Sequence, residues 1–182
     1  MEQSIVFDEK EIQVMVERAL KDVFKTMLSV DIELKECITA EDDGDNQSPL
    51  SKCDGALVIG NVGFVGLVSG MVYIAMTDQL ARQVSMRMLG MSAAELGTGH
   101  DLVNDVIGEL TNMSSGAFKN QLCDRGYSCR LSIPSIIRGK YFVVEGSTAQ
   151  FRQIYVFSYG DEVLTFELLM KMDENGGDDG KL

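Results

Sequence analysis

The stretch Asp101–Leu122, DLVNDVIGELTNMSSGAFKNQL, decides how the rest of the chain is read. At about 100° per residue it predicts one long helix, with Val103, Val106, Ile107, Leu110, Met113 and Ala117 on a broad apolar arc marked for burial. The opposite side carries Asp101, Asp105, Glu109, Asn112, Gly116 and Lys119 in a stripe about 80° wide. Asp105, Glu109 and Asn112 follow the spacing i, i+4, i+7, so two turns present all three on one surface. Asn is a middling helix former, and Gly108 and Gly116 each cost about 1 kcal/mol against Ala. A face that meets only water would more naturally carry Lys, Glu and Gln. Small residues beside a carboxylate and an amide leave room for another molecule's backbone. On these residues alone, an ordinary wet helix face accounts for the pattern equally well.

Composition bounds what surrounds this helix. At 182 residues, with 45% hydrophobic content and mean hydropathy near zero, the chain is long enough to bury a core without disulfides or metal. We expect a single domain over residues 1–172. The formal charge is −12 and no basic cluster interrupts it. That argues against nucleic acid and anionic membrane surfaces, where Lys and Arg supply most of the affinity. The N-terminal MEQSIVFDEKEI has neither a basic nor an apolar leader region, so no export signal is expected. Cys37, Cys53, Cys123 and Cys129 show no CxxC pairing, which favours reduced thiols and a cytoplasmic protein over a zinc framework. The single histidine, His100, precedes the long helix and reads as a helix-entry residue.

Before that helix, Asp8–Leu28 predicts another, with Ile12, Val16, Ala19, Leu20, Val23, Phe24 and Met27 on its apolar face and Asp8 as N-cap. Val30, Ile32 and Leu34 alternate with charged residues, as in a half-buried strand. The acidic segment 41–52, EDDGDNQSPLSK, breaks every pattern and reads as a loop insertion; it lacks the spacing and terminal Glu of a calcium loop. Gly55–Thr77 holds no charge over 23 positions, a length that suits a membrane span. Its five glycines, with Asn61, Ser69 and many β-branched residues, favour a buried β-hairpin turning near Phe64–Gly66. Thr77 then caps a helix Asp78–Leu89 that stops at Gly90, and Met91–Gly99 is a small-residue connection.

Downstream of the long helix the period changes to two. Tyr127, Cys129, Leu131 and Ile133 alternate with Ser128, Arg130, Ser132 and Pro134. Tyr141–Glu145, Gln150–Tyr159 and Val163–Met170 predict further strands, with a turn at Gly146–Ser147. Residues 173–182, rich in Asp and Gly, predict a disordered acidic tail. Helix-plus-hairpin units in loose repetition fit an α/β fold of the α+β type, with helices on one face of a sheet.

Asp105-x3-Glu109-x2-Asn112 followed by Pro134 resembles the signature of the CheC/CheX/FliY chemotaxis phosphatases. That pattern has about 22 residues between the asparagine and a proline; here 21 residues intervene, a displacement of one. The words GELTNMSSGAFKNQL and LSIPSIIRGK extend the match, and the similarity in layout runs from about Glu9 to Met170. In two-site relatives an equivalent helix repeats the signature; the comparable spacing here gives Asp78, Arg82 and Ser85, so this helix is blank. One active helix beside one blank helix resembles CheX.

The resemblance implies a CheC-like fold: a sheet of about six to seven strands with a long active helix, a blank helix and an N-terminal helix packed on it. It also implies a partner, a phosphorylated CheY-like response regulator, and a homodimer without membrane insertion. The regulator would bring the aspartyl phosphate, its Mg²⁺ and a lysine, so the chain needs no cofactor of its own. Glu109 would pair with that lysine and Asn112 would hold water in line with phosphorus, a positioning role. Asp105 would be a supporting contact. Gly116 would permit close approach, which is our inference from its size. A binding module that recognises a regulator without dephosphorylating it, such as a flagellar-switch component, and a small-ligand domain on the same fold are the competing expectations.

Overall fold

The computed structural model describes residues 8–39, 48–142, 144 and 149–172. Most of the expected acidic loop, the Gly146–Ser147 turn and the tail at 173–182 lie outside the described residues. In chain order the elements are α1 (Glu9–Leu28), β1 (Glu33–Thr39), a 3-10 turn (Pro49–Lys52), β2 (Leu57–Gly66), β3 (Val68–Thr77) and α2 (Asp78–Leu89). There follow α3 (Ala93–Leu96), α4 (Asp101–Asp124), β4 (Cys129–Leu131), β5 (Ser135–Gly139), β6 (Phe151–Tyr159) and β7 (Glu162–Met172).

The helices begin and end where local chemistry dictates. Asp8 accepts the amides of Lys10 at 2.9 Å and Glu11 at 3.2 Å, giving α1 its N-cap. Thr77 Oγ1 accepts the Leu80 amide at 3.1 Å, and Gly90, at φ 65°, closes α2 in the left-handed region open to glycine.

All pairings in the seven-stranded sheet are antiparallel, in the order β1-β6-β7-β3-β2-β4, with β5 also on β2. β4 and β5 therefore form one edge split in two. Alternation along each strand sends Val58, Val62 and Phe64 of β2, Val72, Ile74 and Met76 of β3, and Phe166 and Leu168 of β7 into one core with α1, α2 and α4. Phe118 of α4 anchors it, edge-on to Phe64 at 6.5 Å and to Phe166 at 6.1 Å between centroids. Gly60 lets α4 lie directly on β2: a Cβ there would sit 1.9 Å from Thr111 Oγ1. On the other face, Leu57 and Ile59 pack with Leu50 of the 3-10 turn, Tyr73, Ile137 and Phe142.

Several expectations need correction. The alternating stretch beyond Tyr127 is not one strand, because Ser132–Pro134 face only Val62 and Gly63 of β2. Pro134 has no amide for the ladder, and the surplus residue bulges so that Ile133 is 89% exposed where alternation placed it inward. Ser132 repairs the ladder locally: its amide donates to Gly63 O at 2.8 Å, and its Oγ accepts the Gly63 amide at 2.9 Å. The strand after the bulge is Ser135–Gly139; Tyr141, Phe142 and Val144 are not in a strand. β1 begins at Glu33, beyond Val30 and Ile32. Residues 49–52 of the expected loop form the 3-10 turn, since Pro49 suits its first position and Ser48 accepts the Leu50 amide at 3.3 Å. The connection after α2 contains α3, one turn held by a Ser92–Glu95 capping box.

Candidate functional site

α4 separates its residues as the periodicity requires. Val103, Val106, Ile107, Leu110, Phe118 and Leu122 are buried, and Met113 and Ala117 are half-buried against the same core. Asp105 and Glu109 are exposed, while Asn112 and Gly116 are half-exposed, so all four residues of the expected stripe share one accessible surface. Cβ atoms three or four residues apart on a helix lie about 5–6 Å from each other, which sets Glu109 and Asn112 side by side. None of Asp105, Glu109 and Asn112 forms a side-chain hydrogen bond or ion pair within the described residues. An unpaired carboxylate and an unpaired carboxamide thus face outward together.

The two glycines of the helix differ. Gly108 is buried under β5, where an added Cβ would lie 3.9 Å from Ile136 Cδ1. Gly116 has nothing within 4 Å of its missing Cβ, so its space opens outward. Only Gly116 leaves room for a partner.

β5 runs antiparallel beside α4. Arg138 Nε donates to Asn104 Oδ1 at 2.7 Å, and Ile136 lies against Gly108. Four helical residues advance about 6 Å and two strand residues about 6.7 Å. The two contacts share one register, which ends where the bulge at Ser132–Pro134 begins.

The spacing Asp78, Arg82, Ser85 on α2 presents no comparable surface. Ser85 is fully buried and its Oγ donates to Ala81 O at 2.7 Å. Arg82 Nε donates to Asp78 Oδ2 at 2.9 Å, and Asp78 Oδ1 also accepts from Arg138 Nη1. Arg82 reaches on to the carbonyls of Gly97 at 3.2 Å, Thr98 at 3.1 Å and Gly99 at 3.2 Å, and to His100 Nδ1 at 3.3 Å. Burial alone would raise the Asp78 carboxyl, but hydrogen bonds from Arg138 and Arg82 outweigh it and hold it below the usual carboxylate range. Sequence reasoning registered α2 as lacking the signature and gave no sign of this network, whose partners lie up to 60 residues apart.

On the opposite face of the sheet lies a small cleft, lined in part by Leu50, Tyr73, Phe142 and the ion pair Arg152–Glu167 at 2.9 Å. Burial raises the Glu167 carboxyl, and Arg152 offsets only part of that. The four cysteines are free, with Cys37 on β1 and Cys53 after the 3-10 turn. Cys123 closes α4 near Cys129 of β4, whose thiol burial pushes up to about 11. Among the described residues no helix is long and apolar enough to cross a membrane, and no three His, Cys, Asp or Glu side chains gather closely enough to hold a metal ion.

Comparison with known proteins bears on this geometry. None of the curated proteins matches the chain. Among solved structures it is similar to the chemotaxis protein CheX from Vibrio vulnificus, at 25% identity and TM-score 0.72, over 88% of this chain and 99% of that one. It is likewise similar to a chemotaxis protein from Desulfovibrio vulgaris Hildenborough, at 21% identity and TM-score 0.75, over 91% of this chain and 100% of that one. A third is the CheX of Borrelia burgdorferi, solved as a CheX–CheY–BeF3–Mg complex, at 21% identity and TM-score 0.69, over 91% and 99% of the two chains. The family model for the chemotaxis phosphatase CheX matches residues 58–157, from the second residue of β2 through the polar stripe and the bulge to β6. With more than half its length in that match, and with Glu109 and Asn112 outward on the helix at its centre, this chain belongs to the CheX family of chemotaxis phosphatases.

Proposed function

We propose that this protein hydrolyses the aspartyl phosphate of a phosphorylated CheY-like response regulator, by laying α4 against the regulator's active site. Glu109 pairs with the regulator's lysine and orients the helix. Asn112 holds water in line with phosphorus through its carboxamide. Water oxygen bonds to phosphorus, the bond from phosphorus to the aspartyl oxygen breaks, and the water protons leave with inorganic phosphate. Asn112 acts by position and not as a base, because a carboxamide takes up no proton near neutral pH. In this reading Mg²⁺ is carried by the regulator, Asp105 adds a polar contact, and Gly116 admits the partner's backbone.

The observation that carries the proposal is that Glu109 and Asn112 share one outward surface of α4 with no partner among the described residues. A structural carboxylate and amide would be expected to bond locally; these two are left for another molecule. The Borrelia burgdorferi relative, found in complex with CheY, supports a receiver as that molecule.

The test is decay of a ³²P-labelled CheY-like regulator with and without this protein. We expect release of inorganic phosphate to accelerate and to saturate with protein concentration. Unchanged decay at saturating protein would leave a binding module instead.

A further inference from the structure

α4 starts without a cap. His100 occupies the N-cap position and makes no side-chain bond to the first turn. Helix ends with unsatisfied amides fray readily, yet this end lies about three turns from Asn112. Two arginines restrain it from outside. Arg82 donates to three successive carbonyls, Gly97, Thr98 and Gly99, fixing the path into the helix. Arg138 spans from Asn104, in the first turn of α4, to Asp78, the first residue of α2. Asp78 accepts from both arginines, so the sheet edge, the blank helix, the entry loop and the active helix meet on one carboxylate. The side chains of Asp78, Arg82 and Arg138 are only 27%, 23% and 22% exposed.

We propose that Arg138, with Asp78 and Arg82, positions Glu109 and Asn112 for the reaction. The spacing i, i+4 that sets Asp105 and Glu109 outward on α4 sets Asp78 and Arg82 on α2 to lock α4 in place. Asn104 precedes Glu109 by five residues and Asn112 by eight, about 7.5 and 12 Å along a stiff helix. Arg138 lies on β5, the sheet edge beside α4, so its bond to Asn104 ties the helix to that edge. Without it, α4 is free to shift against that edge, and a misplacement of about 1 Å can cost roughly 10²-fold in rate. This positioning role rests on the reading of Asn112 given above.

The variant that separates positioning from stability is Arg138→Met. Arg138 Nη2 is buried with no hydrogen-bond partner among the described residues, Asp78 keeps Arg82, and methionine preserves much of the volume. Asp78 and Asn104 each lose a partner, so we expect Arg138→Met to melt somewhat below the parent protein, and rates are compared well below both melting temperatures. Backbone amides of residues 102–108 should exchange faster in the free protein. Its kcat on phosphorylated regulator should fall about tenfold or more, with KM changing less. Asn104→Asp, which still accepts from Arg138, should keep near-parental kcat, whereas Asn104→Leu should lose it. Asn112→Ala runs beside them as the control. If Asn112→Ala abolishes turnover while Arg138→Met and Asn104→Leu retain it, the positioning role is wrong. If Asn112→Ala itself retains turnover, the water-holding reading fails, and so does catalytic positioning; the exchange data then decide only whether the arginines anchor the helix.

Discussion

Replacing Asn112 by Ala tests the chemistry with the least disturbance to the fold. The side chain is half-exposed and has no hydrogen-bond partner among the described residues, so its removal opens no cavity and orphans no buried group. Ala is a better helix former than Asn by about 0.5 kcal/mol, and a chain of this size shifts its Tm by about 2–4 °C per kcal/mol. The melting curve should therefore stay within about 2 °C of the parent, on the side of a small gain. Catalysis should respond very differently. Loss of the one group that holds water in line should cost about 10²-fold, equivalent to roughly 2.7 kcal/mol in the barrier. The assay is the rate of regulator dephosphorylation against protein concentration. With Asn112→Ala the plateau should drop about 10²-fold while the half-saturating concentration stays near the parental value. Glu109→Ala should change both, because its carboxylate serves docking as well as orientation. An Asn112→Ala plateau equal to the parent would refute the water-holding role; an equal loss of plateau and of melting temperature would show that the side chain had been structural.

Gly60→Ala should destabilise the fold by about 1–3 kcal/mol, because its Cβ meets Thr111 Oγ1, which is itself held to Ile107 O at 2.7 Å; a melting curve checks this, and an unchanged Tm would deny the close approach of α4 to β2. Asp78, its folded pKa depressed, contributes stability that is present above its unfolded pKa and lost as pH falls through the folded value; Tm should therefore drop below about pH 4 in the parent and less steeply in Asp78→Asn. Glu167, its folded pKa raised, works in the opposite sense: its contribution is full below the unfolded pKa and lost as pH rises through the folded value. Among the described residues nothing pairs the outer edge of β1, so we expect a closed two-fold homodimer of about twice 20.0 kDa, which light scattering at micromolar concentration would disprove by giving a monomer.

What the sequence determined by itself is what local periodicity and capping control. The two faces of α4 follow from a 3.6-residue repeat, so Glu109 and Asn112 were placed on its open surface without knowledge of any neighbour. α2 runs from Asp78 to Leu89 as Thr77 and Gly90 dictate, and the β2–β3 hairpin follows from an uncharged run rich in β-branched residues. Tertiary structure decided the rest, because pairing between distant segments leaves no periodic trace. Alternation cannot show that Ser132–Pro134 must span two residues of β2, so the bulge, exposed Ile133 and β5 itself emerge only when the strands meet. Gly60 reads as a strand weakness until Thr111 is seen against it. Gly116 falls within the stripe on the helical wheel and Gly108 just outside it, but only the structure shows β5 over Gly108 and open space at Gly116. Asp78 and Arg82 read as a signature that failed; Arg138, 60 residues from Asp78, joins them to α4 through Asn104. Charge pairs of that separation are fixed by the packing of the core, which brings their backbones together before the side chains can choose partners.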